Sequence, residues 1–353
     1  MVTAFMSDAA PLPGGKLNLE LLAELLSGLG KADPSVVQGP GIGLDAAVLD
    51  AGGSHLVVAK TDPITFATDA IGYYAVVVNS NDIAVCGGEP RWMMATVLLP
   101  EGSATAAQAT DIFRQISEAC EKLAISLVGG HTEVTPAVTQ PVVIGAMLGL
   151  VEREQLISAA DAQPGDVLLL AGTAAIEGTA LLAREKAGDL RRRGYDEDFL
   201  RRCAEMLYQP GISVLRAARA AARAGGVHAM HDPTEGGIAT GLWEMAMASG
   251  RRFVADPGKV AVAVETATLC GEYGLDPLGV IASGALLLAV AADAETAVRQ
   301  SLASAGWPCA VIGHVEEGPP VVVTPDGRSW PRYDQDEVTK ALGATLPEGR
   351  TAQ

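Results

Sequence analysis

The chain has 353 residues, of which 49% are hydrophobic, so it can form a sizeable core and its composition argues against global disorder. Its 42 acidic and 25 basic residues give a formal charge of −17. Most of such a surface repels nucleic acid, whereas a nucleotide that carries a divalent cation can still bind.

Five cysteines without a CxxC pair argue against a disulfide framework or a thiolate zinc site. No charged-then-apolar leader opens the chain, and apolar runs such as ALLLAVAA are too short to cross a bilayer. We therefore expect a cytoplasmic protein that does not bind a membrane.

Residues 1–34 are predicted to form an amino-terminal arm and one helix. The arm, residues 1–15, is rich in proline and glycine. Leucines then follow at helical spacing in LNLELLAELLSGLG (17–30), which ends in glycine, as helices often do.

Residues 35–155 are predicted to form a first α/β domain, because strands and helices alternate there. The helix at 69–88 is apolar on all sides and should be buried, with Asp69 as its cap. A strand should end at Gly129 and Gly130, which leaves His131 at the start of a loop. The predicted elements are a strand at 55–62, the helix at 69–88, a strand at 91–100, a helix at 104–124, and strands at 125–130 and 140–151.

The segment SAADAQPGD (158–166) is predicted to link this domain to a second α/β domain at 165–325. The second domain begins with the strand VLLLAG and contains helices near 176–187 and across 196–224. Residues 326–353 are predicted to be a carboxy-terminal tail that is disordered from about residue 343.

Three aspartates of the first domain stand where a metal ion could be bound. Asp45 lies in the glycine-rich GPGIGLDAAVLD, Asp62 ends a predicted strand before a proline, and Asp82 lies in the apolar helix with Asn79 on the same face. Their oxygens are hard ligands that suit Mg²⁺, which needs only one or two carboxylates together with phosphate and water.

Each aspartate also has a structural interpretation. Asp45 could stabilise a turn, and Asp62 could initiate one before its proline. Asp82 differs, because a carboxylate in an apolar helix must be paired, capped or coordinated. The three acids together with the glycine-rich loops favour a metal site.

A second polar motif, HDPTEGG (231–237), precedes a helix whose free N–H groups attract anions. Local sequence favours capping of that helix by Asp232 or Thr234. A zinc site would need His131, His228 and His231 to converge, and no cysteine accompanies them, so we do not expect zinc. A Walker loop and a GxSxG elbow are absent.

Five motifs follow one another in a recognisable order: GIGLDAAVL, KTDPITF, NSNDIAVCGGEPRW, LVGGHTEV and HDPTEGGIATGLWEMA. This order, from about residue 16 to 325, resembles the aminoimidazole ribonucleotide (AIR) synthetase, or PurM-like, superfamily, and most of all its HypE-like hydrogenase expression/formation (AIR synthase-related) proteins. The resemblance implies a two-domain α/β (α+β) fold. It also implies a homodimer whose amino-terminal domains share a β-barrel, and magnesium-dependent ATP chemistry.

The resemblance also implies roles for individual residues by position. His131 stands where a kinase of the superfamily has a metal-binding Asp, and it is expected to contact phosphate or substrate. Asp232 resembles the second-domain acid that faces the same site, and both residues are predicted to be catalytic. The other predictions are metal binding by Asp45, Asp62 and Asp82, and cofactor binding by Asp45, Thr61, Asn79, Gly129, Gly130 and Thr234.

Departures from the family pattern leave the reaction open. HypE carries its thiocarbamate on a carboxy-terminal cysteine, whereas this chain ends in GATLPEGRTAQ and its last cysteine is Cys309. We expect an ATP-dependent enzyme that activates an amide- or carbonyl-type oxygen or an alcohol by phosphoryl transfer, on a small molecule or on a partner-protein carrier. A non-catalytic nucleotide-binding or scaffold protein and a histidine-based metal hydrolase stay open as alternatives.

Overall fold

Each half of the chain folds around a six-stranded mixed sheet flanked by helices, which confirms the predicted two-domain α/β fold. The computed structural model describes residues 12 and 15–343. Most of the predicted arm and the predicted disordered end beyond Gly343 lie outside these residues. No helix among them is long and apolar enough to cross a membrane.

The first sheet has the order β1-β2-β3-β6-β4-β5, in which only β4 and β5 pair in parallel. Within the described residues of one chain it is an open sheet, and β1 and β5 form its edges. Its elements are α1 (Leu19–Ser27), β1 (Val36–Gln38), β2 (Ala47–Leu49), β3 (His55–Ile64), α2 (Ile71–Val85), β4 (Glu89–Pro100), α3 (Ala106–Leu123), β5 (Ser126–Thr135) and β6 (Val142–Glu152).

The second sheet has the order β12-β9-β11-β7-β10-β8. Its central strands read as continuous apolar runs because helices cover both faces. Its strands are β7 (Val167–Ala171), β8 (Val227–His231), β9 (Arg252–Ala255), β10 (Leu286–Val290), β11 (Cys309–Glu316) and β12 (Val322–Val323). Its helices are α4 (Ile176–Glu185), α5 (Ala187–Arg192), α6 (Glu197–Glu205), α7 (Leu215–Ala224), α8 (Gly237–Ser249), α9 (Val264–Tyr273), α10 (Glu295–Ser304) and α11 (Val338–Leu342).

Helix α2 is buried almost throughout, as its apolar sequence predicts, and it packs between the first sheet and the second domain. The side chain of Asn81, in this helix, is fully buried at the domain interface. Its Nδ2 donates to the carbonyl oxygen of Ile212 at 2.9 Å, and its Oδ1 accepts from the amide of Val214 at 2.9 Å. One amide side chain thus satisfies two backbone groups of the other domain.

Several local predictions are wrong. The paired glycines do not end β5, which runs on to Thr135 beside β4, with an irregular register at Val128. At Gly130 a Cβ atom would lie 2.0 Å from the carbonyl oxygen of Ala95, so this glycine allows close strand pairing rather than a loop. The cap predicted at Asp69 is also absent, because Asp69 binds Arg184 instead.

The predicted linker and residues 326–343 of the predicted tail are folded parts of the molecule. Ser158 is buried and its hydroxyl donates to Oε1 of Gln38 at 2.7 Å, while Asp166 is buried beside His228. Trp330 is also buried and α11 follows it, so the chain is structured well beyond residue 326. Buried apolar side chains, Ala159 and Ala162 in the linker and Trp330 and Val338 in the tail, hold these segments against the core, which their Pro- and Gly-containing sequence does not reveal.

Replacing Asn81 by Ala should destabilise the protein by about 3 kcal/mol, because two buried backbone groups lose their only side-chain partner. Urea unfolding measures the loss. The exposed Gln300→Ala, which removes an amide from the surface of α10, should change the free energy of unfolding by less than about 0.5 kcal/mol. Equal stability of Asn81→Ala and wild type would show that this contact does not hold the domains together.

Candidate functional site

Three carboxylates from two domains meet in the interior of the molecule. Asp45 lies in the loop before β2, Asp82 in α2 and Asp232 immediately after β8. Each offers one oxygen to a group whose atoms all lie within 4.8 Å of one another. Asp82 and Asp232 are 3% and 2% exposed, so solvent does not screen this concentration of negative charge.

The oxygens of this acid cluster, Asp45, Asp82 and Asp232, are poorly satisfied within the described part of the chain. Oδ2 of Asp82 and both oxygens of Asp232 have no hydrogen-bond partner there. Burial, followed by the charge of Asp45, raises the pKa of Asp232 to about 8. Burial also raises the pKa of Asp82 well above its usual value, although Lys60 opposes the rise. Unpartnered, clustered carboxylate oxygens are the donor set that Mg²⁺ binds, so these residues fit a magnesium ion.

Glycines allow the chain to bring the acids together. Gly43 has a φ of 72°, and a Cβ there would lie 2.3 Å from the carbonyl oxygen of Glu244, so only glycine lets the Asp45 loop rest on α8. On β6, a Cβ at Gly145 would lie 2.3 Å from Nδ2 of Asn79. The space left by Gly145 lets the Asn79 side chain accept from the amide of Asp62 at 2.9 Å. Asn79 therefore positions β3 rather than joining the acid cluster.

Lys60 is a lysine in direct contact with the acid cluster, and it was not among the residues predicted from the sequence. Its Nζ lies 2.9 Å from Asp82 and 3.2 Å from Asp62. Burial lowers the pKa of Lys60, but Asp82 and then Asp62 raise it more, so the side chain is a cation at neutral pH. Asp62 binds this lysine beside the cluster. The i, i+2 spacing of Lys60 and Asp62 places both on one face of β3, a signal that the sequence does carry.

His231 joins Asp45 to the second domain. Its Nδ1 lies 2.7 Å from Asp45, and its Nε2 lies 3.0 Å from Oε2 of Glu244, with all three side chains nearly buried. Burial lowers the pKa of His231, but the charges of Asp45 and Glu244 raise it far more, so the ring is an imidazolium. Burial raises the pKa of Glu244, yet Lys16 and His231 together bring it down to about 2. This ion pair positions Asp45 rather than binding zinc.

The acid cluster forms the floor of a cavity of about 350 Å³, which we call the cleft. Both ends of the described chain cover it, because Lys16 and α1 lie on one side and residues 332–336 on the other. Arg332 binds Glu20 at 2.7 Å across this cover. Nine acidic side chains line the cleft against four basic ones: Glu20, Asp45, Asp62, Asp82, Asp232, Glu235, Glu244, Asp334 and Asp336 against Lys16, Lys60, His231 and Arg332.

The motif HDPTEGG does not cap α8 with its own side chains. The amide of Gly236 instead donates to Oδ2 of Asp336 at 2.7 Å, and the hydroxyl of Thr234 accepts from Nζ of Lys16 at 2.9 Å. The capping prediction for Asp232 and Thr234 is therefore wrong, and both side chains face the cleft. Asp336 lies in the segment predicted to be a tail, so local sequence could not identify it as the cap.

Four other predicted residues lie away from the cleft. Gly129, Gly130 and His131 are exposed on the edge strand β5 and line neither the cleft nor its neighbouring cavity. Nε2 of His131 lies 3.1 Å from Glu133, and its side chain is 65% exposed. Thr61 is exposed and its hydroxyl donates to the carbonyl oxygen of Gly145 at 2.8 Å. Within one chain, the structure does not bring these residues to the acid cluster.

Two family models match the chain. Residues 43–151 match the N-terminal domain of AIR synthase related proteins, and residues 163–326 match the C-terminal domain of the same proteins. The carbamoyl dehydratase HypE of Cupriavidus necator is 31% identical over 69% of this chain and 68% of its own length. The selenide, water dikinase of Nitratidesulfovibrio vulgaris is 29% identical over 83% of this chain and 90% of its own length.

A solved structure supports the same fold. The hydrogenase maturation protein HypE in complex with ATP matches with a TM-score of 0.67 and 23% identity, over 93% of this chain and 98% of that one. At this identity the match concerns the fold alone.

Replacing Lys60 by Met should leave the buried carboxylate of Asp82 without its lysine partner and cost roughly 3–5 kcal/mol in the presence of EDTA. Millimolar Mg²⁺ should restore more stability to this variant than it adds to the wild type, because a bound cation replaces the missing charge. Thermal melting with EDTA and with Mg²⁺ measures both effects.

The matched control is Lys259→Met, which removes an exposed lysine and should behave as the wild type does in both buffers. If Lys60→Met is as stable as the wild type in EDTA, then the acids are not held as anions and the charge balance described above is wrong.

Proposed function

Because the chain belongs to the AIR synthase-related (PurM-like) family and is close to HypE, we propose that it is a magnesium-dependent enzyme that uses ATP. The observation that carries the proposal is the buried acid cluster at the floor of the cleft. Two relatives support it by their names, since one is a dehydratase of carbamoyl groups and the other is a dikinase.

The charge of the cleft explains why a divalent cation is required. Nine acids against four bases would repel the phosphates of free ATP. Asp45, Asp82 and Asp232 would hold Mg²⁺, which neutralises phosphate charge and polarises the transferred phosphoryl group. Lys60 and Lys16 are the cations of this chain that would contact phosphate oxygens, and Asp62 keeps Lys60 in place.

The cleft also has an apolar part that suits a nucleobase. Leucines of the α1 segment, Ile42, Leu44 and Trp243 line it, and Nε1 of Trp243 donates to the carbonyl oxygen of Pro331 at 3.1 Å. The guanidinium of Arg332 lies 5.0 Å from the centre of the Trp243 ring. The indole is thus held in place by the segment that covers the cleft.

The reaction that we propose is phosphoryl transfer to an amide- or carbonyl-type oxygen or to an alcohol, on a small molecule or on a group carried by a partner protein. Among the described residues, no cysteine lines the cleft. Cys309, for example, lies on β11, away from the cleft.

We also propose that the first domains pair through β5 in a homodimer, and that a shared barrel forms there. Strand β5 is an exposed edge over nearly all of its length, and Val128 and Val134 are 56% and 59% exposed. An apolar exposed edge strand is a template for pairing with another chain. His131 lies on this strand, so its proposed contact with phosphate or substrate would be made across the dimer interface.

A non-catalytic nucleotide-binding or scaffold protein is the second candidate. The exposed position of His131, on the edge strand β5 and away from the cleft, favours it. The two candidates differ in ATP turnover with amide, thiocarboxamide or alcohol compounds. Faster ADP formation with any of these compounds than without them would eliminate the scaffold hypothesis.

Replacing Asp82 by Asn should weaken the binding of Mg–ATP at least tenfold, because the cluster loses an anionic oxygen ligand that has no other partner. Calorimetric titration measures the affinity. The control is Asp293→Asn, which removes an exposed carboxylate and should bind as the wild type does. Normal binding by Asp82→Asn would refute the metal assignment, and absence of binding by the wild type would refute the function.

Replacing Val134 by Glu should convert a dimer into a monomer of 36.2 kDa, because charge is then placed on both copies of the pairing edge. Light scattering after gel filtration measures the mass. Val264→Glu introduces the same charge at a residue that is 72% exposed in the second domain, and it should remain dimeric. A wild-type monomer at micromolar concentration would contradict the proposed homodimer.

A further inference from the structure

A second cavity of about 430 Å³ adjoins the cleft, and we call it the side chamber. The two cavities share a wall that is formed by Lys16, Asp62, Thr234 and Glu235. A molecule in the side chamber would therefore lie next to Lys16, one of the two lysines that the proposed function assigns to phosphate. Its volume is in the range of cavities that bind small organic ligands.

Most of the side chamber is apolar. Side chains of the first domain and of the second domain face each other across it, so it lies at the domain interface. The apolar lining consists of Pro63, Ile64, Phe66, Ala67, Val78, Leu181 and Ile281. This surface suits a hydrocarbon or aromatic body rather than a highly polar one.

One end of the side chamber is polar, and its polar side chains, Glu177 and Ser283, are incompletely paired. Glu177, in the first turn of α4, is 5% exposed, and its Oε2 accepts from the backbone amide of Ser283 at 3.2 Å. The hydroxyl of Ser283 is fully buried and makes no hydrogen bond with the described part of the chain. It lies near the carboxyl group of Glu177 and lowers the pKa of that group. Burial raises the pKa of Glu177 to about 7 although Ser283 opposes the rise, and Glu177 forms no ion pair with a basic side chain of the described residues.

The unpaired polar groups of Glu177 and Ser283 destabilise the folded protein unless a ligand pairs with them. A buried carboxyl without a cation and a buried hydroxyl without a partner each disfavour the folded state. The other acids of the region have basic partners, since Asp62 binds Lys60 and Glu235 binds Lys16. Among the described acids of the chamber, Glu177 is thus the one whose carboxylate has no basic partner and could pair with a cationic ligand.

We propose that the side chamber binds the second substrate, and that this substrate is a small organic amine with an apolar body. Its ammonium group would lie against the carboxylate of Glu177 and the hydroxyl of Ser283, and its other end would face the wall shared with the cleft. An anion is disfavoured, because Asp62, Glu177 and Glu235 face the chamber, whereas Lys16 is the one basic side chain among the described residues that line it. The name "second substrate" rests on the proposed ATP function, whereas the amine preference rests on the chamber alone.

Three probes with the same skeleton test the preference: phenylpropylamine, phenylpropanol and phenylpropionate. Each is titrated into the full chain in the presence of Mg–ADP, at a pH of about 8, where both the amine and Glu177 are charged. We expect the amine to bind about tenfold more tightly than the alcohol, and the carboxylate to bind most weakly. Equal affinities for the three probes would overturn the proposal.

Variants of Glu177 and Ser283 test whether these residues cause the preference for the amine. Glu177→Gln should lower the affinity for the amine about tenfold and leave that for the alcohol within about twofold, because one charge contact is lost. Ser283→Ala should weaken both probes about threefold while preserving the fold, which circular dichroism checks. Glu205→Gln, an exposed glutamate on α6, is the matched control and should bind as the wild type does. An amine preference that survives in Glu177→Gln would overturn the proposal.

The same protein samples are titrated with Mg–ATP, which separates the two proposals. If ATP binds and the amine preference is absent, the side chamber inference fails and the ATP function stands. If the amine preference depends on Glu177 but ATP does not bind, the chamber stands and the ATP function fails.

Discussion

The structure depends on holding three carboxylates, drawn from both domains, within 4.8 Å of one another in the interior. Burial raises the pKa of Asp82 and Asp232, and the charges of the neighbouring acids raise it further. Such a group persists only if cations and rigid packing oppose the repulsion. Residues around the acid cluster supply both the opposing charge and the close packing.

Two cations and two glycines stabilise the acid cluster in different ways. Lys60 and the imidazolium of His231 supply charge, and each binds an acid of the cluster directly. Gly43 and Gly145 supply space, the first for a loop against α8 and the second for the Asn79 side chain that fixes β3. Because His231 binds Asp45 and Glu244 together, the contact that positions a cluster ligand is also a contact between the two domains.

The sequence predicts those parts of the site whose signal is local. An aspartate in a helix that is apolar on all sides must have a partner, so Asp82 could be identified, and the glycine-rich loop pointed to Asp45. Glu244 and Asp336 could not be found in this way, because they reach the cleft only after α8 and the carboxy-terminal segment pack together. The paired glycines misled only as to where β5 ends, since a bulged strand and a loop at a strand end both need a residue without a side chain.

The cleft and the side chamber, which share the wall of Lys16, Asp62, Thr234 and Glu235, also differ in the charge of their linings. On one side, acids outnumber bases so strongly that phosphates can enter only with a metal ion. On the other, a single unpaired carboxyl stands at the end of an apolar chamber. Lys16 touches Thr234, Glu235 and Glu244, so it belongs to both sides. Whatever reacts across this wall must therefore do so beside that lysine, which the amino-terminal segment carries and the acids of the second domain hold.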